Sequence, residues 1–154
     1  MSHTARLATV DDIAEVVRLR RLLFESLGHI EDDWQDNCAL VSKSGLDEGW
    51  LIVAVVDDPW GSGLAAAGSA EIQQRLPGPS NPSGRLGYIG TMATDRRWRR
   101  RGFARDILAL LVSELHERGI IRIELHATAD ASALYRSLGF VERPGGVEMR
   151  LLEA

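Results

Sequence analysis

The run RRWRRRGFAR, Arg96 to Arg105, constrains this chain more than any other stretch. Five of its six arginines precede Gly102, and the chain's clearest amphipathic helix opens directly after that glycine. Ahead of the run, RLGYIGTMAT (Arg85–Thr94) reads as a strand. Its two glycines predict a bulge or a close approach by another element. The basic run thus joins the end of a strand to the start of a helix. A helix start offers N–H groups with no partner inside the helix, together with partial positive charge. That combination holds phosphate. Gly102 lets backbone approach an anion closely, and Ala104 is the next smallest residue two positions on. Arg99-x-x-Gly102-x-Ala104 therefore reads as a pyrophosphate cradle. It is not a nucleotide P-loop, because no Lys-Ser or Lys-Thr follows the glycine. Nor is it the three-glycine dinucleotide fingerprint.

The rest of the chain alternates strands and helices. ARLAT (Ala5–Thr9) is a short strand, and Asp11 is placed to cap the helix that follows, which Gly28 ends. DDWQDNCALVSKSG is a second helix, closed by Gly45. WLIVAVVDD (50–58) and LAAAGSAEIQQRL (64–76) are strands. PGPSNPSG (77–84) is a loop. The helix after the cradle runs from about Arg101 to Arg118. Phe103, Ala104, Ile107, Leu108, Leu111, Val112 and Leu115 form its apolar stripe. IIRIELHA alternates as a strand, with Ile121, Ile123 and Leu125 on one face and Arg122, Glu124 and His126 on the other. DASALYRSLG (130–139) is a short helix, and FVERPGGVEMRLL ends the chain as a hairpin. The class is α/β with a mixed central sheet, in one domain over residues 1–154.

Charge limits the partners. The 154 residues carry 18 Lys+Arg against 22 Asp+Glu, a net charge of −4. A dense arginine cluster in an acidic chain fits a local anion site better than a groove for nucleic acid. No apolar run reaches membrane-spanning length, and the N-terminus lacks the apolar stretch of a signal peptide. Cys38 is the only cysteine, which excludes an intrachain disulfide and fits a reducing cytoplasm. No metal site is expected.

The string at Arg99–Ala104 resembles the Q/R-x-x-G-x-G/A signature of the GNAT superfamily of acyl-CoA-dependent N-acetyltransferases. YIGTMATDRRW is similar to that family's fourth strand running into the signature. LHATADASALYRSLGF is similar to its fifth strand, fourth helix and Y-x-x-x-G-F ending, here Tyr135 to Phe140. These motifs cover residues 88–140; the N-terminal half matches by element order. The resemblance implies a GNAT-like mixed, mostly antiparallel central sheet flanked by helices, in the order β-α-α-β-β-β-α-β-α-β-β. It implies acetyl-CoA as co-substrate and an amine acceptor, either a small molecule or a peptide. The backbone of Met92, Ala93 and Thr94 would pair with the pantetheine arm. The amides of Arg100, Arg101, Gly102, Phe103, Ala104 and Arg105 would hold the pyrophosphate, with Arg99 at the Q/R position. Tyr135 would protonate the leaving thiolate; a core aromatic is the other reading of that residue. Arg96 and Arg97 are open to a solvated loop or to a contact with the coenzyme's ribose phosphate.

The chain departs from the family pattern where Arg100 replaces a frequent glycine and Thr128 a frequent asparagine. It also has no carboxylate in Arg85–Thr94, where some members carry a basic glutamate. An alkylammonium must lose a proton before it can attack a thioester. Glu71 on the preceding strand is the first candidate base, His126 the second and Glu124 the third. Each also has an ordinary structural reading, and a water chain to bulk would need none of them. Glu31, Asp32, Asp33 and Asp36 beside Trp34 border the acceptor side in this fold, where an acidic rim suits a cationic amine. The same carboxylates also favour a helix start. A non-catalytic CoA-binding module and a basic-loop nucleic-acid binder are the alternatives. A sheet edge at the C-terminal hairpin would allow a homodimer.

Overall fold

A computed structural model describes residues 5–152; residues 1–4 and 153–154 of the expected domain lie outside the described residues. The elements in order are β1 (Ala5–Leu7), α1 (Ile13–Ser26), α2 (Gln35–Glu48), β2 (Leu51–Asp57), β3 (Leu64–Gln74), β4 (Arg85–Thr94), α3 (Phe103–Glu117), β5 (Ile123–Leu125) and α4 (Ser132–Ser137). Short 3-10 turns precede α1 and α3, at Val10–Asp12 and Arg96–Trp98. The five strands lie in chain order across one sheet, antiparallel except for the parallel β4–β5 pair.

The sheet has two buried faces. Ile52, Ala54 and Val56 of β2 and Ala70 of β3 pack with Ile107, Leu108, Leu111 and Leu115 of α3. The alternate residues Val53, Val55 and Ala67 pack with Val16 and Leu19 of α1. The α3 stripe read from the sequence is therefore the helix's inner face, and burying each of its leucines stabilises the fold by about 1.5–3 kcal/mol. The face is close-packed. A Cβ at Gly68 would lie 2.5 Å from Ile107, and one at Gly87 would lie 2.6 Å from Leu115. Here β4 shows the close approach its glycines predicted.

Several boundaries move. A 3-10 turn enters α1, with Thr9 and Asp12 making the capping box in place of Asp11. The second helix does not stop at Gly45 but runs to Glu48 and ends at Gly49, whose φ is +86°. Gly45 is buried inside it, because a Cβ there would lie 2.7 Å from that of Leu51 and 3.0 Å from the Trp50 ring. Its missing side chain is a packing requirement rather than a stop signal. Ile121 is 84% exposed while Ile120 is buried, so the core-facing residue is one position earlier than the alternation predicted. Pairing of β5 starts only at Ile123.

The expected C-terminal hairpin is absent among the described residues: 138–152 form no strand. Val141, Val147, Met149 and Leu151 are each at least 84% exposed. Alternation supplies a face but not a partner, and a strand's hydrogen bonds come from its neighbour. Pro144 has no N–H, and Gly145 and Gly146 both take positive φ, which interrupts the segment between Val141 and the apolar residues that follow. The sheet edge on that side is β5 itself.

Candidate active site

The site begins with a mismatch in β4. On β3, one residue separates Gly68 from Ala70; on β4, two residues separate their partners Met92 and Ile89. The extra residue is a bulge at Gly90–Thr91 opposite Ser69, so the second β4 glycine marks the predicted bulge. The Thr91 amide donates to Ser69 Oγ at 3.0 Å. Pairing of β4 with β5 covers only Gly87–Ile89 and stops at this bulge. From Gly90 onward β4 is paired to β3 and open on the other side. Met92, Ala93 and Thr94 thus present an unpaired strand edge, and an extended chain lying there would meet its free N–H and C=O groups.

That edge leads into the basic turn. Arg100 takes φ +64°, the only left-handed non-glycine residue among those described, and Gly102 takes φ +80°. Left-handed residues this close together turn successive amides toward one concave side, an anion-binding arrangement. The first helical bond of α3 runs from the Asp106 amide to the Gly102 carbonyl at 3.1 Å, and no side chain caps the helix. The amides of Phe103, Ala104 and Arg105 therefore have no acceptor within the helix. A Cβ on Gly102 would meet nothing within 4 Å, so the space before the helix is open. Glycine is required there by its backbone angle as well as by any ligand. The site's open edge and free amides fit a pantetheine arm and a pyrophosphate in sequence.

The arginines divide into two groups. Arg97 is engaged with Asp58 at 3.0 Å and Asp95 at 3.3 Å, so its guanidinium braces the turn. Arg105 reaches Ser137 at 2.8 Å, tying α3 to α4. Arg101 lies over the Trp98 ring, with 5.6 Å to the centroid. Trp98 is buried against Trp60 and Phe103. Arg96, Arg99 and Arg100 are exposed and make no hydrogen bond or ion pair among the described residues. Asp95 anchors the turn to the body of the protein through Arg18 at 3.1 Å, and Arg18 also pairs with Glu15 at 2.7 Å. Burial pushes the Asp95 carboxyl up, but the Arg97 amide and the two guanidiniums outweigh it and hold it below the usual carboxylate range. Sequence reasoning missed this brace, because its members lie on three separate segments.

The three candidate bases fare differently. Glu124 is ion-paired with Arg122 at 2.8 Å and Arg143 at 3.0 Å, and Arg122 holds its carboxyl below the usual range, so it is a poor proton acceptor. His126 is 74% exposed and lies 3.7 Å from Glu148. Glu71 is half-buried and has no ion-pair partner among the described residues. It pairs in register with Tyr88, on the sheet face of Val53 and Ser69, and its Oε2 lies 3.7 Å from where a Cβ of Gly90 would stand. Glu71 is the carboxylate that reaches the bulge. Tyr135 on α4 is buried and edge-on to Phe140, and burial raises its phenol, so the hydroxyl stays protonated at neutral pH. That hydroxyl makes no hydrogen bond among the described residues. Among those residues no group of three metal-ligating side chains comes together, and no helix is long and apolar enough to cross a membrane.

A sequence profile of the acetyltransferase (GNAT) family matches residues 14–140. The chain belongs to the GNAT acetyltransferase family. Solved structures agree with that membership. A predicted acetyltransferase with acetyl-CoA from Clostridium acetobutylicum is 25% identical, with a TM-score of 0.85 over 95% of this chain and 94% of that one. A GCN5-related N-acetyltransferase from Ralstonia eutropha is also 25% identical, with a TM-score of 0.80 over 95% and 97%. Glucosamine-6-phosphate N-acetyltransferase from Arabidopsis thaliana, 14% identical, shares the fold with a TM-score of 0.76 over 97% and 99%. Curated protein sequences give no match.

Proposed function

We propose that this GNAT acetyltransferase works as a single domain that moves an acetyl group from acetyl-CoA to an amine nitrogen. The observation that carries this reading is the continuous backbone surface from the unpaired β4 edge at Met92–Thr94 to the free amides at Phe103–Arg105. One side of it suits an extended amide-bearing arm and the other a pyrophosphate. The Clostridium acetobutylicum relative, a structure with acetyl-CoA, supports the choice of co-substrate.

In this mechanism the amine approaches the bulge from the α1 face, where Glu71 accepts its proton. We assign the base to Glu71 over His126 because Glu71 is half-buried at the bulge and lacks a cationic partner, whereas His126 is in solvent. The neutral nitrogen attacks the thioester carbonyl, a C–N bond forms and the C–S bond breaks. Tyr135 gives its proton to the departing sulfur, a proton its buried hydroxyl retains at neutral pH. The test is CoA-thiol release across a panel of amines, with acetyl-CoA binding followed by thermal shift. Binding together with turnover of at least one amine is expected. Binding with no turnover of any amine favours a non-catalytic CoA-binding module, and absence of binding removes the reading altogether.

A further inference from the structure

On the α1 face of the bulge lies a second charged group that the mechanism above does not use. Arg20 extends from α1 to the strand and donates to Thr91 Oγ1. Its guanidinium lies over the Phe24 ring, 4.9 Å from the centroid. Phe24 is itself held edge-on by Trp34 at 5.3 Å and His29 at 6.2 Å. The arginine is half-buried, and its position is fixed at both ends.

Its neighbours on α1 show what is unusual about it. Arg18 is paired with Glu15 and Asp95, and Arg21 with Glu25 and Asp32. Arg20 alone of the three has no carboxylate among the described residues, although Glu71 reaches the adjacent residue of the same bulge. A guanidinium carries five N–H donors in a planar fork, and one hydroxyl uses one of them. Holding a cation partly out of water without a counter-charge is unfavourable unless an anion arrives there.

From this pairing of charges we infer that the acceptor is an amino-carboxylic acid, with an α-amino acid as its simplest form. Its amine faces Glu71 at Gly90, and its carboxylate is taken by the free N–H groups of Arg20 at Thr91. The two protein charges reach consecutive positions of one strand, Thr91 and Gly90, and do not pair with each other, as two sites for a small zwitterion should. The acidic stretch at 31–36 argues less for a cationic acceptor once folded: Glu31, Asp32, Asp33 and Asp36 are exposed, and Asp32 already faces Arg21 at 3.4 Å. Arg20 is a substrate-binding residue in this account, and Phe24 positions it.

The inference rests on the acetyl-transfer reading, so its test separates the two. The twenty standard amino acids are assayed as acceptors beside their α-carboxamides and a set of diamines. An acid should be preferred over its own amide, and Arg20→Gln should raise KM for that acid roughly 30-fold or more while changing KM for the amide little. Arg20→Lys, which keeps the charge but loses the fork, should fall between. Amides or diamines turned over as well as acids would overturn this inference and leave acetyl transfer standing. So would an Arg20→Gln variant impaired equally toward acid and amide, the result expected if Arg20 only braces α1 against β4. If that variant does not fold, the wild-type preference between acid and amide decides alone. Turnover of no amine at all would overturn both readings.

Discussion

The two sides of the β4 bulge are built from different materials. On the proposed coenzyme side, the groups that face outward are main-chain: the edge of Met92–Thr94 and the amides that open α3. On the proposed acceptor side they are side chains from three separate elements: Arg20 on α1, Glu71 on β3 and Thr91 on β4. Backbone recognition constrains conformation over consecutive residues, so it leaves a local string such as Arg99-x-x-Gly102-x-Ala104. Side-chain recognition leaves single residues tens of positions apart. On the proposed reading, one fold carries a coenzyme motif local in sequence and an acceptor site assembled from distant residues.

If the division holds, side-chain changes on the acceptor side should act on turnover, and backbone changes on the coenzyme side should act on binding. The largest expected effect is at Glu71. Glu71→Gln removes a base without changing shape, and kcat/KM should fall by roughly 10²–10⁴ at neutral pH. Acetyl-CoA affinity by calorimetry should be unchanged. A variant with full turnover would transfer the proton to a water chain.

Next is Tyr135. Tyr135→Phe keeps the buried ring and its packing on Phe140 and deletes one hydroxyl. Turnover should drop by roughly 10², with KM for acetyl-CoA and melting temperature little moved. Full turnover would make Tyr135 a packing residue only.

Gly102→Val breaks the coenzyme side. It forces a branched residue into φ +80° and fills the open space before α3. Acetyl-CoA should bind at least about tenfold more weakly, near 1.4 kcal/mol, and unchanged affinity would sink the pyrophosphate cradle. Arg100→Gly sharpens the same point from the other direction. Relieving φ +64° should stabilise the fold by about 1 kcal/mol in urea unfolding, since an L-residue there carries roughly that strain. A loss of stability would mean that the Arg100 side chain contributes more than its backbone costs.

The smallest effect concerns pH. The Arg6 guanidinium holds Asp12 below the usual carboxylate range, and Arg18 does the same for Glu15. Carboxyls lowered in the folded state stabilise it fully above their unfolded values, near about 4, and lose that contribution as pH falls through the folded ones. Urea midpoints should therefore decline below about pH 4.5, and Arg18→Gln should flatten that decline. Equal slopes would show the brace to be energetically silent.

How much of this was legible in the chain varies with range. Gly102 and the α3 stripe follow from local rules: a helix start needs a residue tolerant of its backbone angle, and a buried face needs apolar residues at helical spacing. The glycines of β4 announced both the contact with Leu115 and the bulge, because each marks a place where a side chain or a regular ladder does not fit. Gly45 misled for the same reason, since a sequence cannot tell a glycine that ends a helix from one that admits Trp50 and Leu51. The alternation in 140–152 also misled, as a strand needs an edge to pair with and sequence spacing does not provide one.

The sequence by itself determined the α/β class and the strand–turn–helix unit around Gly102, both set by contacts within a few residues, while Tyr135 was named as an acid by its motif's resemblance to the family. Only the tertiary structure decided which carboxylate reaches the bulge, which arginines are neutralised and which are free. Those outcomes depend on where residues 15, 18, 20, 58, 71, 91 and 95 meet in space. Charge pairing acts over a few ångströms regardless of chain separation, so its result is fixed only when the sheet and helices have packed.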